Sequence, residues 1–172
     1  MQIQSFEKPF PHIIVDDFLA DDIFSDLCEV LADLPMEYKE SDLFSFEQSQ
    51  DLTKNKDFQN IQEQLLALIK KNNFGVTVSR LDMMAACYSQ GDHLLPHDDR
   101  LDSRKIAYTF YVTEPEAGGE LSLITKKPPF KKTQLQVKPN RLVLFLVSKD
   151  SWHEVEDVQG ELPRISITGW FH

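Results

Sequence analysis

His97 and Asp99 stand two residues apart, and an imidazole and a carboxylate at that spacing form a pair of metal donors. On an extended backbone, residues i and i+2 project from one face, so both side chains reach a single ion. An His-x-Asp pair is common by chance, and more is needed. A second histidine, His153, follows the strongly apolar run 142–147, which would give it a rigid position from which to complete a set of two histidines and one carboxylate. Three protein donors on one face leave the opposite face of the metal open. That arrangement is associated with non-haem iron(II), and open positions are what oxygen chemistry needs. Asp98 projects the other way and reads as a loop residue. His93 sits beside Gly91 on a turn and reads as solvated, while His12 and His172 have no companions that suggest ligation.

Eleven residues beyond His153, Arg164 opens the run 164–168, with Arg164, Ser166 and Thr168 on one face and Ile165 and Ile167 on the other. Such an arginine can be an ordinary surface strand residue. A guanidinium fork also pairs bidentately with a carboxylate, and Ser166 adds a hydroxyl on the same face, so the pair suits a dicarboxylate. Arg100 and Arg104 read as structural, either being near enough to reach a substrate above the site. Trp152 reads as packing beside His153, and Cys87 as a small core thiol.

These side chains need elements to hold them. A short apolar run at 12–15 reads as a strand. Phe24, Leu27, Leu31 and Leu34 recur at helical spacing and predict a first helix over 21–34, with Asp21 as N-cap and Pro35 as its stop. Phe58, Ile61, Leu65, Leu68 and Ile69 predict a second amphipathic helix over 57–71. Between them, 37–56 is polar and aperiodic, a long loop or irregular strand that could serve as a lid or substrate groove. Beyond residue 73 the texture becomes β-prone at 74–80, 83–88, 105–112, 135–137, 141–147 and 164–171, punctuated by Gly91, Gly118, Gly119, Asn140 and Gly160. This predicts a sandwich or barrel of about eight strands over 74–172, supported by a helical region over 1–73. The lysine-rich stretch 126–132 reads as a solvated hairpin loop.

With 172 residues and 41% hydrophobic content, the chain suits one domain with a sizeable core. Its formal charge of −10 disfavours nucleic acid and favours a basic protein or peptide. Cys28 and Cys87, far apart and outside any CxxC, suggest neither a disulfide framework nor a structural zinc, which fits a reduced, cytoplasmic setting. The polar start and the lack of any long apolar run argue against secretion and membrane insertion.

Taken together, the His-x-Asp pair, the distal His and the Arg-x-Ser pair resemble the 2-oxoglutarate- and iron(II)-dependent oxygenases of the prolyl hydroxylase group. The resemblance is closer to the ribosomal-protein prolyl hydroxylases than to the hypoxia-sensing ones. It runs through 11–19, 88–99, 104–111, 118–121 and 151–171, most of the chain. It implies a mainly β fold with flanking helices, the double-stranded β-helix, a distorted jelly roll related to the cupins. It implies that His97, Asp99 and His153 bind iron, that Arg164 and Tyr111 hold the far carboxylate of 2-oxoglutarate, and that Tyr88 and Leu121 line its pocket. Ser166 is a further candidate there. Iron(II), 2-oxoglutarate and dioxygen are the implied cofactor and cosubstrates, with ascorbate as reductant, and the implied partner is a basic, ribosomal-protein-like substrate. Eukaryotic members of that group carry a second, degenerate barrel after the first, which a chain ending at His172 does not include. Competing readings are the same chemistry on a free amino acid, a small metabolite or a nucleobase, a silent barrel serving as a binding module, and a cupin-like hydrolase, which would want more histidines.

Overall fold

The strands at 106–111 and 164–171 bury both of their faces, and that decides the architecture: one face must meet helices and the other must enclose something. The computed structural model describes every residue except Asn73, Asp102 and Lys127. Its N-terminal part runs β1 (Gln2–Phe6), β2 (His12–Asp16), α1 (Asp21–Ala32), β3 (Glu37–Ser41), β4 (Phe44–Gln48) and α2 (Gln59–Asn72). Then come β5 (Met84–Tyr88), β6 (His93–His97), β7 (Ile106–Tyr111), β8 (Ala117–Gly118), β9 (Leu121–Ile124) and β10 (Lys132–Leu135). The chain closes with β11 (Leu142–Leu146), β12 (His153–Val155), β13 (Val158–Gln159) and β14 (Arg164–Phe171). Twelve strands form one curled sheet in the order β1-β2-β11-β7-β14-β5-β4-β6-β12-β9-β10, with β3 paired to β4, and β8 pairs β13 apart from it. This mainly antiparallel, curled arrangement is the expected double-stranded β-helix.

Alternation sorts the core. Ile106, Tyr108 and Phe110 of β7, Leu142 and Leu144 of β11, and Ile167 of β14 face the helices. They meet Leu27 and Leu31 of α1 and Ile61, Leu65, Leu68 and Ile69 of α2, with Phe24 set edge-on to Phe110 at 6.0 Å. Each fully buried Leu, Ile or Phe contributes roughly 1.5–3 kcal/mol, so this layer anchors the sheet from behind. The opposite faces of β7 and β11 present Ala107, Tyr111, Val143 and Phe145 to Leu121 and Leu123 of β9, forming the interior of the curl.

Several expectations change. The N-cap of α1 is Ala20, and Asp21 begins the helix, where Asp21 and Asp22 complement its positive end. Of the two readings of 37–56, the strand holds over 37–48: β3 and β4 form a hairpin, and β4 bridges the two halves of the curl, pairing with β5 through Glu47 and Gln48 and with β6 through Phe44 and Ser45. The supporting region 1–73, expected to carry two helices and a strand at 12–15, therefore contributes four strands to the sheet. Residues 74–80 form no strand, since Gly75 takes a φ of 70° and only Leu81 bridges, to Phe171. The strand expected at 135–137 lies earlier, in β10. Over 74–172 the described residues form ten strands, β5 to β14, where about eight were expected, because two- or three-residue strands such as β8, β12 and β13 are too short to give a period.

Candidate active site

The three candidate metal donors are brought together on the half of the curl that the two helices do not back. His97 ends β6 and His153 begins β12, and these two residues are register partners across the β6–β12 ladder. Their rings lie 4.2 Å apart between centroids. Asp99 arrives differently from the extended geometry expected: its φ of 60° puts it in the left-handed region, so a turn and not strand alternation swings its carboxylate back. Asp99 Oδ1 then lies 3.4 Å from His97 Nε2, and Oδ2 lies 3.3 Å from His153 Nε2. His153 likewise owes its position to β12 itself, held by β6 and β9, more than to the apolar strand before it.

Both imidazoles are oriented by the backbone. His97 Nδ1 is 2.9 Å from the Leu95 carbonyl, and His153 Nδ1 is 2.8 Å from that of Ser151. A carbonyl can only accept, so each Nδ1 carries the proton and each Nε2 presents a lone pair to the shared space. Burial by itself would raise the Asp99 carboxyl, but in the metal-free site protonated imidazoles at His153 and His97 donate to it and their charge holds Asp99 well below the usual carboxylate range; the neutral, lone-pair form is the one that would ligate a metal. Burial works to lower the His97 imidazole, and the Asp99 carboxylate overcomes it, leaving His97 above its ordinary value.

Arg164 lies on the helix-backed half. It is 2% exposed, so the surface-strand reading is excluded. It starts β14 opposite Tyr88 of β5, and Ser166 lies opposite Tyr111 of β7. The guanidinium carbon is 5.0 Å from the ring centroids of both tyrosines, and Arg164 Nη1 donates to Ser166 Oγ at 3.1 Å. Arg164 Nε has no hydrogen-bond partner, and the buried Tyr111 hydroxyl lies near the guanidinium without a well-aligned bond to it. Burial pushes the Tyr88 phenol up to about 12, with Arg164 opposing the rise, and it raises Tyr111 in the same way. Gly119 closes this end: at its φ of 70°, a Cβ would come within 3.1 Å of Arg164 Cδ.

His97, Asp99 and His153 line one cavity of about 570 Å³ together with Arg164, Tyr88 and Ser166, while Tyr111 is buried beside Arg164 outside that lining. Its walls are largely apolar, with Leu121, Phe145 and Val155 inside and Phe46 stacked on Tyr88 at 4.9 Å between centroids. Leu43, Leu95 and Leu101 form an exposed rim. Sequence reasoning offered 37–56 as a lid or substrate groove without placing its residues, and the structure puts Leu43, Phe44 and Phe46 of the hairpin in the cavity lining. It favoured a structural role for Arg104 while leaving it within reach of a substrate, and Arg104 lines the cavity, with Nη1 3.7 Å from Asp99 Oδ1.

The remaining candidates fall elsewhere. Asp98 pairs with Arg100 at 2.8 Å, as suits a loop residue. His93 belongs to β6, half-buried, and not to a free turn. His172 is buried among Asp82, Arg80 and Ser103, away from the donors. Lys126 lies over Trp152 at 4.7 Å, whereas Lys127 of the same stretch lies outside the described residues. Cys28 and Cys87 are unpaired.

Among the described residues, one group could hold a metal ion, His97, Asp99 and His153. Two neutral imidazole nitrogens and a carboxylate suit iron(II), and the buried, incompletely satisfied Arg164 and Tyr111 suit the free carboxylate of a keto acid chelated at the metal.

Comparison with known proteins accords with this geometry. The chain is 34% identical over 186 residues to the prolyl 3-hydroxylase OGFOD1 of Mus musculus, covering 95% of this chain and 33% of that protein. It is 31% identical over 197 residues to the prolyl 3,4-dihydroxylase OGFOD1 of Ostreococcus tauri, covering 96% of this chain and 38% of that protein. The chain thus spans about a third of the length of the curated relatives it matches. A Pseudomonas putida prolyl-4-hydroxylase shares the fold with a TM-score of 0.75 at 19% identity, covering 94% of this chain and 91% of that one. A Trichoplax adhaerens prolyl hydroxylase, in complex with a hypoxia inducible factor oxygen degradation domain peptide fragment, gives 0.77 at 17%, covering 93% and 82%. The sequence pattern of the 2OG-Fe(II) oxygenase superfamily matches residues 83–172, from just before β5 through the donors and Arg164 to the end. With iron(II), 2-oxoglutarate and dioxygen as its implied reagents, this chain belongs to the 2OG-Fe(II) oxygenase superfamily.

Proposed function

We propose that residues 1–172 form a single oxygenase domain that hydroxylates a prolyl residue in a protein. The observation that carries this is one cavity holding a two-histidine, one-carboxylate set in one wall and a buried arginine between two tyrosines in another. When bound, iron(II) and 2-oxoglutarate would supply, with dioxygen as the oxidant, oxidative decarboxylation to succinate and carbon dioxide, one oxygen atom going to succinate and the other to an unactivated C–H bond.

The protein's own work is positioning and exclusion of water. His97, Asp99 and His153 hold the metal through Nε2 atoms and carboxylate oxygens already turned towards one point. Arg164 and the Tyr111 hydroxyl bind the far carboxylate of the cosubstrate, and Ser166 fixes the guanidinium. Tyr88 and Leu121 confine the carbon chain between them. No side chain acts as a nucleophile.

A protein substrate is supported by the relatives' names and by the exposed apolar rim, to which the β3–β4 hairpin contributes Leu43 as one side of a peptide groove. The formal charge of −10 favours a basic, ribosomal-protein-like partner. No helix of the described residues is long and apolar enough to cross a membrane; together with two unpaired cysteines this is consistent with a cytoplasmic site of action.

The test is incubation of the chain with iron(II), 2-oxoglutarate, ascorbate and a panel of proline-containing basic peptides, free proline and small amino acids, reading both succinate release and a 16 Da mass gain. Peptide-dependent succinate with a matched mass gain on proline supports the reading. Turnover of free amino acids alone moves it to small-metabolite chemistry, and metal binding without turnover of any substrate moves it to a binding module.

A further inference from the structure

We propose that Arg104 is a positioning residue for the metal end of the cavity, setting the orientation of the Asp99 carboxylate; this rests on reading His97, Asp99 and His153 as metal donors. The need for such a residue comes from the backbone. His97 and His153 are fixed by a β ladder and by carbonyls two residues back, whereas Asp99 sits beyond the end of β6 at a φ of 60°, where no ladder holds it. Its side chain is nonetheless almost fully buried, so its direction has to be set by contacts.

Arg104 provides one such contact and is itself anchored. Its Nη1 is 3.7 Å from Asp99 Oδ1, and its guanidinium carbon lies 3.4 Å from the centroid of the Trp170 ring. Trp170 belongs to β14 and is the register partner of Ala107 on β7, in the ladder that also carries Ser166 and Tyr111. The sequence of contacts Trp170, Arg104, Asp99 therefore ties the one turn-borne donor to the β14–β7 ladder. A planar guanidinium can lie over an indole and present an N–H edge to a carboxylate together, which the point charge of a lysine cannot.

A cation beside a metal site also repels the metal, which gives the inference a sign that can fail. If Arg104 acts by orienting Asp99, its loss weakens metal binding; if it acts only as a charge, its loss tightens binding. The experiment is titration of the full chain with cobalt(II), without cosubstrate or peptide, following the visible absorption of the bound ion. Wild type, Arg104→Gln, Arg104→Lys, Trp170→Leu and the Arg104→Gln/Trp170→Leu double variant are compared, each with a thermal melt.

The expected result is a cobalt Kd about tenfold higher in Arg104→Gln, within the range for losing an outer partner of a metal ligand, with little recovery in Arg104→Lys. Trp170→Leu raises the Kd by itself but adds nothing once Arg104 is gone. If Arg104→Gln lowers the melting temperature, Arg104→Lys, which keeps length and charge, carries the comparison. Cobalt affinity in Arg104→Gln equal to or tighter than wild type, or additive effects of the two substitutions, overturns the proposal. Failure of the wild-type chain to bind cobalt(II) overturns instead the metal reading on which it rests.

Discussion

The two ends of the cavity are built by different means. At the arginine end, Arg164, Ser166, Tyr111 and Tyr88 are cross-strand neighbours in the β5–β14–β7 ladder, backed by both helices. At the metal end, the donors sit on two short strands and a left-handed turn, with no helix behind them. A ladder fixes a side chain through many backbone bonds at once; a turn fixes it through a few contacts that can be removed singly. The arginine end should therefore be stiff and costly to perturb, and the metal end adjustable.

The sharpest way to break this comparison is to exchange the damage. Arg164→Met should weaken binding of 2-oxoglutarate by roughly a hundredfold to a few thousandfold, since removing one partner of a buried ion pair costs about 3–5 kcal/mol, while cobalt affinity stays within about twofold. His153→Ala should do the reverse, abolishing metal binding. Calorimetric titration of each variant with metal and then cosubstrate checks both, and loss of both ligands in either variant would mean that the two ends do not act separately.

Next in size is the support behind Tyr111. Asn140 takes a φ of 61°, receives the Leu19 N–H and donates to the Leu19 carbonyl, both at 2.9 Å, and its own N–H donates to the Tyr111 carbonyl at 2.9 Å. Asn140→Ala leaves a buried donor and acceptor on Leu19 unmet, at about 2 kcal/mol, and should lower the melting temperature by roughly 4–8 °C. Gly119→Ala follows at about 1–2 kcal/mol for the left-handed backbone. Because its Cβ would press on Arg164 Cδ, the KM for 2-oxoglutarate should rise while metal affinity does not.

The smallest effect is a pH dependence. Arg141 grips Asp16 through Nε at 2.6 Å and Nη2 at 3.0 Å, and that hydrogen bonding holds the Asp16 carboxyl below its ordinary value, against the effect of burial. A carboxyl lowered in the folded state stabilises it fully above the unfolded value, and the contribution is lost as pH falls through the folded one. Asp16→Asn should therefore cost about 1 kcal/mol at neutral pH, and the difference from wild type should vanish in acid unfolding curves below the carboxylate range.

How much of this was legible in the sequence follows the same division. The run 164–168 carried its own geometry, because alternation in a strand is a fixed rule, and Arg164 and Ser166 duly share the cavity face. The two amphipathic helices were legible for the equivalent reason. The donors His97, Asp99 and His153 were legible as a set of types, but the extended backbone used to join His97 to Asp99 is not what joins them, since a positive φ at an aspartate leaves no periodic trace. Arg104 was read as structural because nothing in its neighbours announces Trp170, 66 positions later, as its platform. Strand β3 was unreadable because all of it is exposed, so it presents no apolar alternation to detect, whereas Phe44 and Phe46 of β4 left a short one.

The pairing of β2 with β11 bears on how the chain is made. Ile13, Ile14 and Val15 find their partners in Leu142, Val143 and Leu144, and the nearby Leu19–Asn140 contact joins residues 121 positions apart. At ordinary rates of synthesis that interval lasts on the order of ten seconds, during which the β1–β2 hairpin has emerged from the ribosome with one sticky edge uncovered. The nascent chain thus passes through a window in which a chaperone, or a neighbouring nascent copy, can occupy the edge that β11 will later claim.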